Sequence, residues 1–511
     1  MNNKIFIFLL SILLIVGFIS RLLIIRNNNF YFTVDQGRDA VYVREILERK
    51  QIILKGPETS VRGVFALPLW YYFIGIGYLI FGGHPFGASF MLTILNLATS
   101  VLLVIWISRE IGRIKAILIG FGLQFFWWFF YTSLWGFNPF PLISLAIVLI
   151  LFLTRFLAKK IKYYFYALIP ILLAFNANIA GAMVLLIFYI LIGLLAWHKK
   201  LITLISFVVS IVPFFVLGIL AIIGGFVSKG QATGTGLGIF SGTNFGVTIP
   251  NFIEMLSQAT IPQNLIIGVF IFFIVFLLYL RNKKQEFSNR FIVLTLVLYI
   301  SSFVFFSFSR GWRDWQTVYL PPLLFVSYIL MLFSLPKRIG ISLLAFTFVF
   351  QLAFFVQKYK SYQGTSKDPS ILSNQQKIID WIYSHGEDQG FSVYTYTNTF
   401  YDYPYQYLFW WYARPKYSYL PCEYSNFPLS HKELYVPGYQ YYLKPDRGCG
   451  RLRFIIIESD TNGEANKDWI DKFKNYNDLI DKQDVGKVKI EKYYTKKESP
   501  NDYCLWWGRC D

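Results

Sequence analysis

The stretch "FALPLWYYFIGIGYLIFGG", Phe65–Gly83, decides how the whole chain is threaded. It is about as long as a membrane-spanning helix needs to be. Yet it carries Pro68, several glycines and the cluster Trp70, Tyr71, Tyr72. Aromatics of this kind gather at the headgroup level, which suits a helix lying along the bilayer surface rather than crossing it.

The rest of the chain separates the two readings. Apolar runs long enough to span a bilayer fall at about 4–25, 86–107, 114–131, 140–156, 163–177, 179–197, 201–223, 263–280, 291–308, 317–334 and 339–356. If Phe65–Gly83 does not cross and the N-terminus is cytoplasmic, the basic loops "SREIGRIK" (108–115), "RFLAKKIK" (155–162), "HKK" (198–200), "RNKKQEFSNR" (281–290) and "PKR" (336–338) all lie inside. If it crosses, all five move outside, against the rule that short basic loops stay cytoplasmic. The first threading gives eleven spans. The first apolar run has no small-residue cleavage site, so it is expected to be retained as a span.

Composition agrees. The 511-residue chain is 55% hydrophobic, 20% aromatic and 15% charged, too little charge for a soluble globule. Its net charge of +19 is concentrated largely in the short loops between spans, which reads as topology and not as nucleic-acid binding. All four cysteines, Cys422, Cys449, Cys504 and Cys510, fall in the polar region after the last span. An even count confined there suggests disulfides and an oxidising, extracytoplasmic setting. The expected organisation is a polytopic α-helical membrane domain over 1–356, with a first external loop of about 26–85, followed by an extracytoplasmic α/β domain over 357–511. In the latter, "SNQQKIIDWIYSHG" and "NKDWIDKFKNY" read as helices, "FSVYTYT" and "RFIIIES" as strands. The expected setting is the cell (plasma) membrane.

In the first external loop lies "YFTVDQGRDAVYVREIL", Tyr31–Leu47. Asp35, Arg38, Asp39 and Tyr42 follow the i, i+3, i+4, i+7 spacing of one helical face, with Ala40, Val43 and Leu47 opposite. Thr33 and Gln36 form a capping box, and an acid in the first turn suits the helix dipole. An amphipathic helix on the membrane surface is expected. Span interiors hold almost no ionisable residues. Arg21, Lys115 and Arg155 sit near span ends, where they can snorkel to the headgroups. That counts against ion-coupled transport. External cations are instead found at Arg38, Lys55, Arg62, Arg310 and Arg313, and arginine's planar fork suits phosphate oxygens.

An ionised carboxylate and several arginines outside a helical bundle suit glycosyl transfer from a polyprenyl-phosphate sugar. The cations would hold the departing phosphate, and the acid would take the proton of an acceptor hydroxyl. Here the chain resembles the GT-C membrane glycosyltransferases, on the branch of the protein O-mannosyltransferases and lipid A aminoarabinose transferases (glycosyltransferase family 39-like). Their first external loop carries a pattern like D-E-x-R-Y-A; this chain reads Asp35-Gln36-Gly37-Arg38-Asp39-Ala40. "LFGGHPFGA" followed by a span and "SREIGRIKA", and "SRGWRDWQTVYLPPLL", add to the likeness, which covers roughly residues 1–356.

The resemblance implies Asp35 as catalytic base, with Asp39 as a possible second acid because Gln36 stands at the family's second acidic position. It implies Arg38 as a phosphate-contacting residue. Lys55, Arg62, Arg310 and Arg313 join it as donor-phosphate candidates, and Tyr42 and Asn138 are candidate sugar or acceptor contacts. The family's lysine ahead of the second surface helix is missing from "ALPLWYYF". The implied partners are a polyprenyl-phosphate-linked sugar, membrane lipid, and an acceptor that is a protein, lipid or glycan. No cofactor is called for; a divalent metal is left open, and the cysteine spacing does not match zinc sites. The competing function is a lipid or polysaccharide flippase, which mid-span charges would favour; a non-enzymatic scaffold is a third.

Overall fold

A computed structural model describes residues 1–59, 63–223, 242–282, 285–309, 312–363, 367–386, 390–396, 402–424, 450–458 and 467–496. The chain forms two compact units. One comprises Met1–Leu23, Ile53–Phe73 and Phe90–Lys360; the other comprises Ile24–Ile52, Ile74–Ser89 and Ser361–Asp511.

The first unit is helical, and each expected apolar run forms helix. The runs become Asn3–Ile25, Phe86–Ile111, Arg113–Gln124 with Trp127–Tyr131, Pro141–Phe156, Lys162–Tyr166 with Leu168–Ala174, Ile179–His198, Leu204–Ile223, Leu265–Arg281, Glu286–Ser307, Leu320–Ser334 and Lys337–Gln363. Among the described residues, five of these are long and apolar enough to cross a membrane. Large apolar side chains face outward along them, with Ile266 79%, Ile205 75% and Phe215 68% exposed. Water would make that surface costly at roughly 25 cal/mol per Å², so lipid is its solvent. Leu320–Ser334 is apolar all round and buried on almost every side, as a central helix must be.

Contacts inside this unit sort the loops into two ends. At one, Arg113 donates to the Met1 carbonyl at 2.8 Å, and Arg155 pairs with Glu110 at 2.6 Å. At the other, Asn138 Nδ2 donates to the Ala177 carbonyl at 2.8 Å, Leu67 N–H donates to the Phe175 carbonyl at 3.2 Å, and Phe137 meets Trp315. Phe18 packs on Phe90, so the first helix runs out from the Met1 end and Phe86–Ile111 runs back to it. The end of the first helix thus lies beside the start of Phe86–Ile111. Leu69–Ile80 has 12 residues, about 18 Å of helix against a hydrocarbon core of about 30 Å.

Arg21 does not snorkel as expected. It is fully buried. Its guanidinium donates to Ser133 Oγ at 2.6 Å, Gln124 Oε1 at 2.8 Å and the Gly17 carbonyl at 2.8 Å, and it lies over the Phe130 ring. Gln124 Nε2 continues the network to Ser100 Oγ. Helical side chains lean toward their own N-terminus, so an arginine near the end of this span reaches back into the bundle.

The second unit carries a four-stranded sheet of order β1-β2-β4-β3, with β1 Phe391–Tyr396, β2 Leu452–Glu458, β3 Asn477–Val485 and β4 Val488–Thr495. β1 and β2 are parallel; the β2–β4 and β3–β4 pairs are antiparallel. Tyr394, Ile455, Phe473 and Tyr493 form a core between the sheet and the helix Lys467–Tyr476. The β3–β4 hairpin was not legible as strands. β3 is an edge strand with nearly all of its residues exposed, so it lacks the alternation that marks a buried strand. Its signal is Gly486, with φ 66° in the turn between the strands. Cys422 is disulfide-bonded; Cys449, Cys504 and Cys510 lie outside the described residues.

Candidate active site

The helix Val34–Arg49 carries the sequence candidates. Its N-cap is Thr33, in extended conformation, whose N–H donates to Gln36 Oε1 at 2.9 Å. Gln36 thus spends its oxygen on the cap. Its Nε2 is buried with no hydrogen-bond acceptor among the described residues.

The expected surface helix is instead largely enclosed: Gln36, Gly37, Asp39, Ala40, Val41, Val43, Arg44 and Glu45 are all buried. Its cover within the second unit is the helix Tyr403–Leu408, from the aromatic stretch "YPYQYLFWWYARP". A Cβ on Gly37 would stand 2.4 Å from the Pro404 nitrogen, so only glycine allows the two helices to meet there.

On this helix Arg38 bridges two acids. Its Nη1 lies 2.8 Å from Asp35 Oδ1, while Nε and Nη2 reach Asp39 Oδ1 at 3.0 and 2.9 Å. The two acids differ in access, with Asp35 44% exposed and Asp39 1%. Arg38 therefore fixes Asp35 against an anchored carboxylate, and leaves Asp35 open to a reactant. Tyr78 adds to the wall. Burial, with Tyr407 and the Asp39 carboxylate nearby, holds its hydroxyl well above the ordinary value. Tyr42, one turn beyond Arg38, is half-buried.

A second ionic group on the same helix was not singled out from sequence. Glu45, fully buried, pairs with Arg49 at 2.8 Å and Arg44 at 3.4 Å, and Arg44 lies over Trp410. Its spacing was legible as an i, i+4 pair; its burial was not. His84, from "LFGGHPFGA", packs edge-on against Trp411, and its Nδ1 accepts the Phe86 N–H at 3.0 Å. Burial lowers it to about 4, so the ring is neutral at physiological pH.

The remaining candidates belong to the first unit or lie outside the described residues. Lys55 is exposed and sits over the Phe65 ring. Arg313 is exposed and sits over Trp315, with no ion pair to Asp314. Asn138 has its amide committed to Ala177. Asn176 Oδ1 accepts the Leu69 N–H at 3.0 Å and so caps the helix Leu69–Ile80. Arg62 and Arg310 lie outside the described residues. Among the described residues no group of three or more His, Cys, Asp or Glu is placed to hold a metal ion.

A polytopic helical bundle with short helices in its first loop and a small C-terminal α/β portion is the GT-C fold. The chain is similar to the crystal structure of ArnT from Cupriavidus metallidurans bound to undecaprenyl phosphate, with a TM-score of 0.58, 12% identity, and 96% of this chain and 98% of that chain covered. The apo state of the same protein gives a TM-score of 0.58 at 12% identity, covering 94% and 97%. No protein-family profile and no curated protein sequence matches the chain.

Proposed function

We propose that the chain is an inverting glycosyltransferase that moves a sugar from a polyprenyl phosphate to an acceptor hydroxyl on the extracytoplasmic face of the cell membrane. The observation that carries this reading is the Asp35–Arg38–Asp39 group: an accessible carboxylate, oriented by a guanidinium that a buried carboxylate anchors. It stands in a fold shared with a protein whose crystal structure holds undecaprenyl phosphate.

The acceptor oxygen attacks the anomeric carbon while its proton passes to an Asp35 carboxylate oxygen. The bond from that carbon to the phosphate oxygen breaks, and the electron pair leaves with the polyprenyl phosphate. One displacement with one base inverts the anomeric centre. Arg38, already neutralised by Asp35 and Asp39, acts first as the group that aims the base. As Asp35 gains its proton, the guanidinium loses one ionic partner and turns more of its charge toward the phosphate. Lys55 and Arg313 are further phosphate candidates by charge. The basic loops set the Met1 end of the first unit on the cytoplasmic side, and the disulfide at Cys422 agrees with an external second unit.

The test is incubation of the purified chain, in lipid nanodiscs, with a panel of polyprenyl-phosphate sugars and protein, lipid and glycan acceptors. Release of free polyprenyl phosphate with transfer of the sugar is expected for at least one donor. Movement of intact lipid-linked sugar across the bilayer, with no transfer, contradicts the reading and supports the flippase.

A further inference from the structure

The Met1 end of the first unit carries a cavity of about 390 Å³, lined by Ile161, Trp197, Lys200, Thr203, Leu204 and Ser206 among others. Two turns meet at it. The turn after Pro141–Phe156 supplies Ile161, and the turn after Ile179–His198 supplies Lys200. Both helices end in the same way. Lys160 N–H donates to the Arg155 carbonyl at 3.3 Å and Lys159 N–H to the Phe156 carbonyl at 2.9 Å; Leu201 N–H donates to the Ala196 carbonyl at 2.8 Å and Lys200 N–H to the Trp197 carbonyl at 2.8 Å. These are the paired bonds of a Schellman turn. Its left-handed position holds Lys159 (φ 64°) in one and Lys200 (φ 55°) in the other. Glycine adopts that conformation without steric cost and is the usual occupant. The lysines gain nothing inside the protein in exchange: Lys159, Lys160, Lys199 and Lys200 are exposed, and their ammonium groups have no partner among the described residues. Of the unit's acids, Glu110 and Glu286 already pair with Arg155 and Arg290. The stretches of this unit outside the described residues (60–62, 224–241, 283–284 and 310–311) contain no Asp or Glu. Beside the lysines, Leu195, Trp197, Leu204 and Ile205 expose large apolar surfaces.

We propose that this cavity binds the headgroup of an anionic phospholipid, whose acyl chains lie along the exposed apolar side chains beside it. A phosphodiester brings a negative charge and acceptor oxygens to Lys200 and the lysines next to it in the two turns. The hydroxyls of Thr203 and Ser206 lie 2.9 Å apart. One hydroxyl hydrogen is spent between them, and the other is left to donate to a phosphate oxygen. Trp197 supplies the aromatic ring that favours the headgroup level. A soluble phosphate would use the lysines and leave the apolar surface uncovered. A zwitterionic lipid would bring its own cation to a cluster of lysines that holds no carboxylate. The rule that basic loops stay cytoplasmic explains lysines at this end of the unit. It does not explain why two of them occupy left-handed turn positions at one cavity. The inference involves no donor, acceptor or reacting group, so it stands apart from the transferase reading.

The test is native mass spectrometry of the full chain, delipidated in a neutral detergent and titrated with phosphatidylglycerol or with phosphatidylcholine of the same acyl chains. Phosphatidylglycerol should bind about five- to thirtyfold more tightly, the advantage that one or two lysines give at a lipid surface. Lys200→Gln leaves the turn as it is and removes one charge; it should weaken phosphatidylglycerol about fivefold and leave phosphatidylcholine unchanged. Lys159→Gly with Lys200→Gly should weaken it about thirtyfold, with no lower melting temperature, because glycine suits both turns. Lys200→Gln decides the case if the glycine variant melts early. Lys337→Ala with Arg338→Ala removes two cations of another basic loop that does not line the cavity, and should change the affinity less than about twofold. Equal affinity for the two lipids, or an equal loss in the Lys337 and Arg338 variant, would overturn the inference. So would displacement of phosphatidylglycerol by glycerol phosphate at equal concentration, which would make the cavity a site for a soluble phosphate.

Discussion

Two places in the molecule hold a pair of acids, and they treat them in opposite ways. On the helix Val34–Arg49, Asp35 and Asp39 share one guanidinium, and one of them is buried. At an aromatic cavity of the first unit, lined by Trp128, Trp312 and Trp315 among others, Glu254 and Asp314 have no ion pair among the described residues. A carboxylate held by a fork has a fixed direction, which is what a base in a single displacement needs. The contrast separates a carboxylate with a fixed direction from two exposed ones that no cation aims among the described residues.

The largest expected effect lies on the first side of that contrast. Asp35→Asn removes the proton acceptor while keeping the shape, so kcat should fall by about 10²–10⁴-fold. Glu254→Gln, at an exposed position outside that group, should change kcat far less. Equal losses in both variants would break the comparison.

Arg38→Ala should come next. It removes one partner of a carboxylate that is 1% exposed, and stability should drop by about 1–3 kcal/mol, read as a lower melting temperature. Arg38→Lys should recover part of the stability and less of the activity, because an ammonium cannot reproduce the fork. Gly37→Ala should cost about 1–3 kcal/mol through the clash with Pro404, with a smaller fall in activity that follows the melting curve.

The smallest effect is in pH. Burial lowers His84 to about 4, so its contribution to stability is lost as pH falls from about 6.5 to 4. Burial and the Asp368 carboxylate push Glu458 up to about 7, so its contribution is lost as pH rises from about 4.5 to 7. The two slopes oppose each other in the second unit, and its melting temperature should vary little from pH 6.5 to 4.5. Glu458→Gln should expose the His84 slope, with stability falling toward acid. His84→Phe should expose the opposite one.

Much of this was written in local pattern. The apolar runs became helices, the Thr33–Gln36 cap starts the site helix, and two of the basic loops, 108–115 and 155–162, lie at the Met1 end. Spacing placed Asp35, Arg38 and Asp39 on one face of one helix, and the resemblance supplied their expected roles. Long-range facts were not legible. Nothing local says that Asp39 is covered while Asp35 is open, because the cover comes from Tyr403–Leu408, hundreds of residues later. Arg21 looked like an end-of-span snorkelling residue, since its partners Gln124 and Ser133 lie on other segments. The aromatic cavity is assembled from three separate stretches, so Glu254 carried no signal that set it apart from any acid on a surface helix.

The central claim is a single displacement driven by one oriented carboxylate, and the anomeric configuration of the product tests it most directly. A polyprenyl-phosphate sugar of known anomeric configuration is incubated with the wild-type chain, and the C1–H1 coupling of the transferred sugar is read by NMR. The account predicts a product inverted relative to the donor. A product that keeps the donor's configuration would require a second nucleophile and would contradict the role given to Asp35.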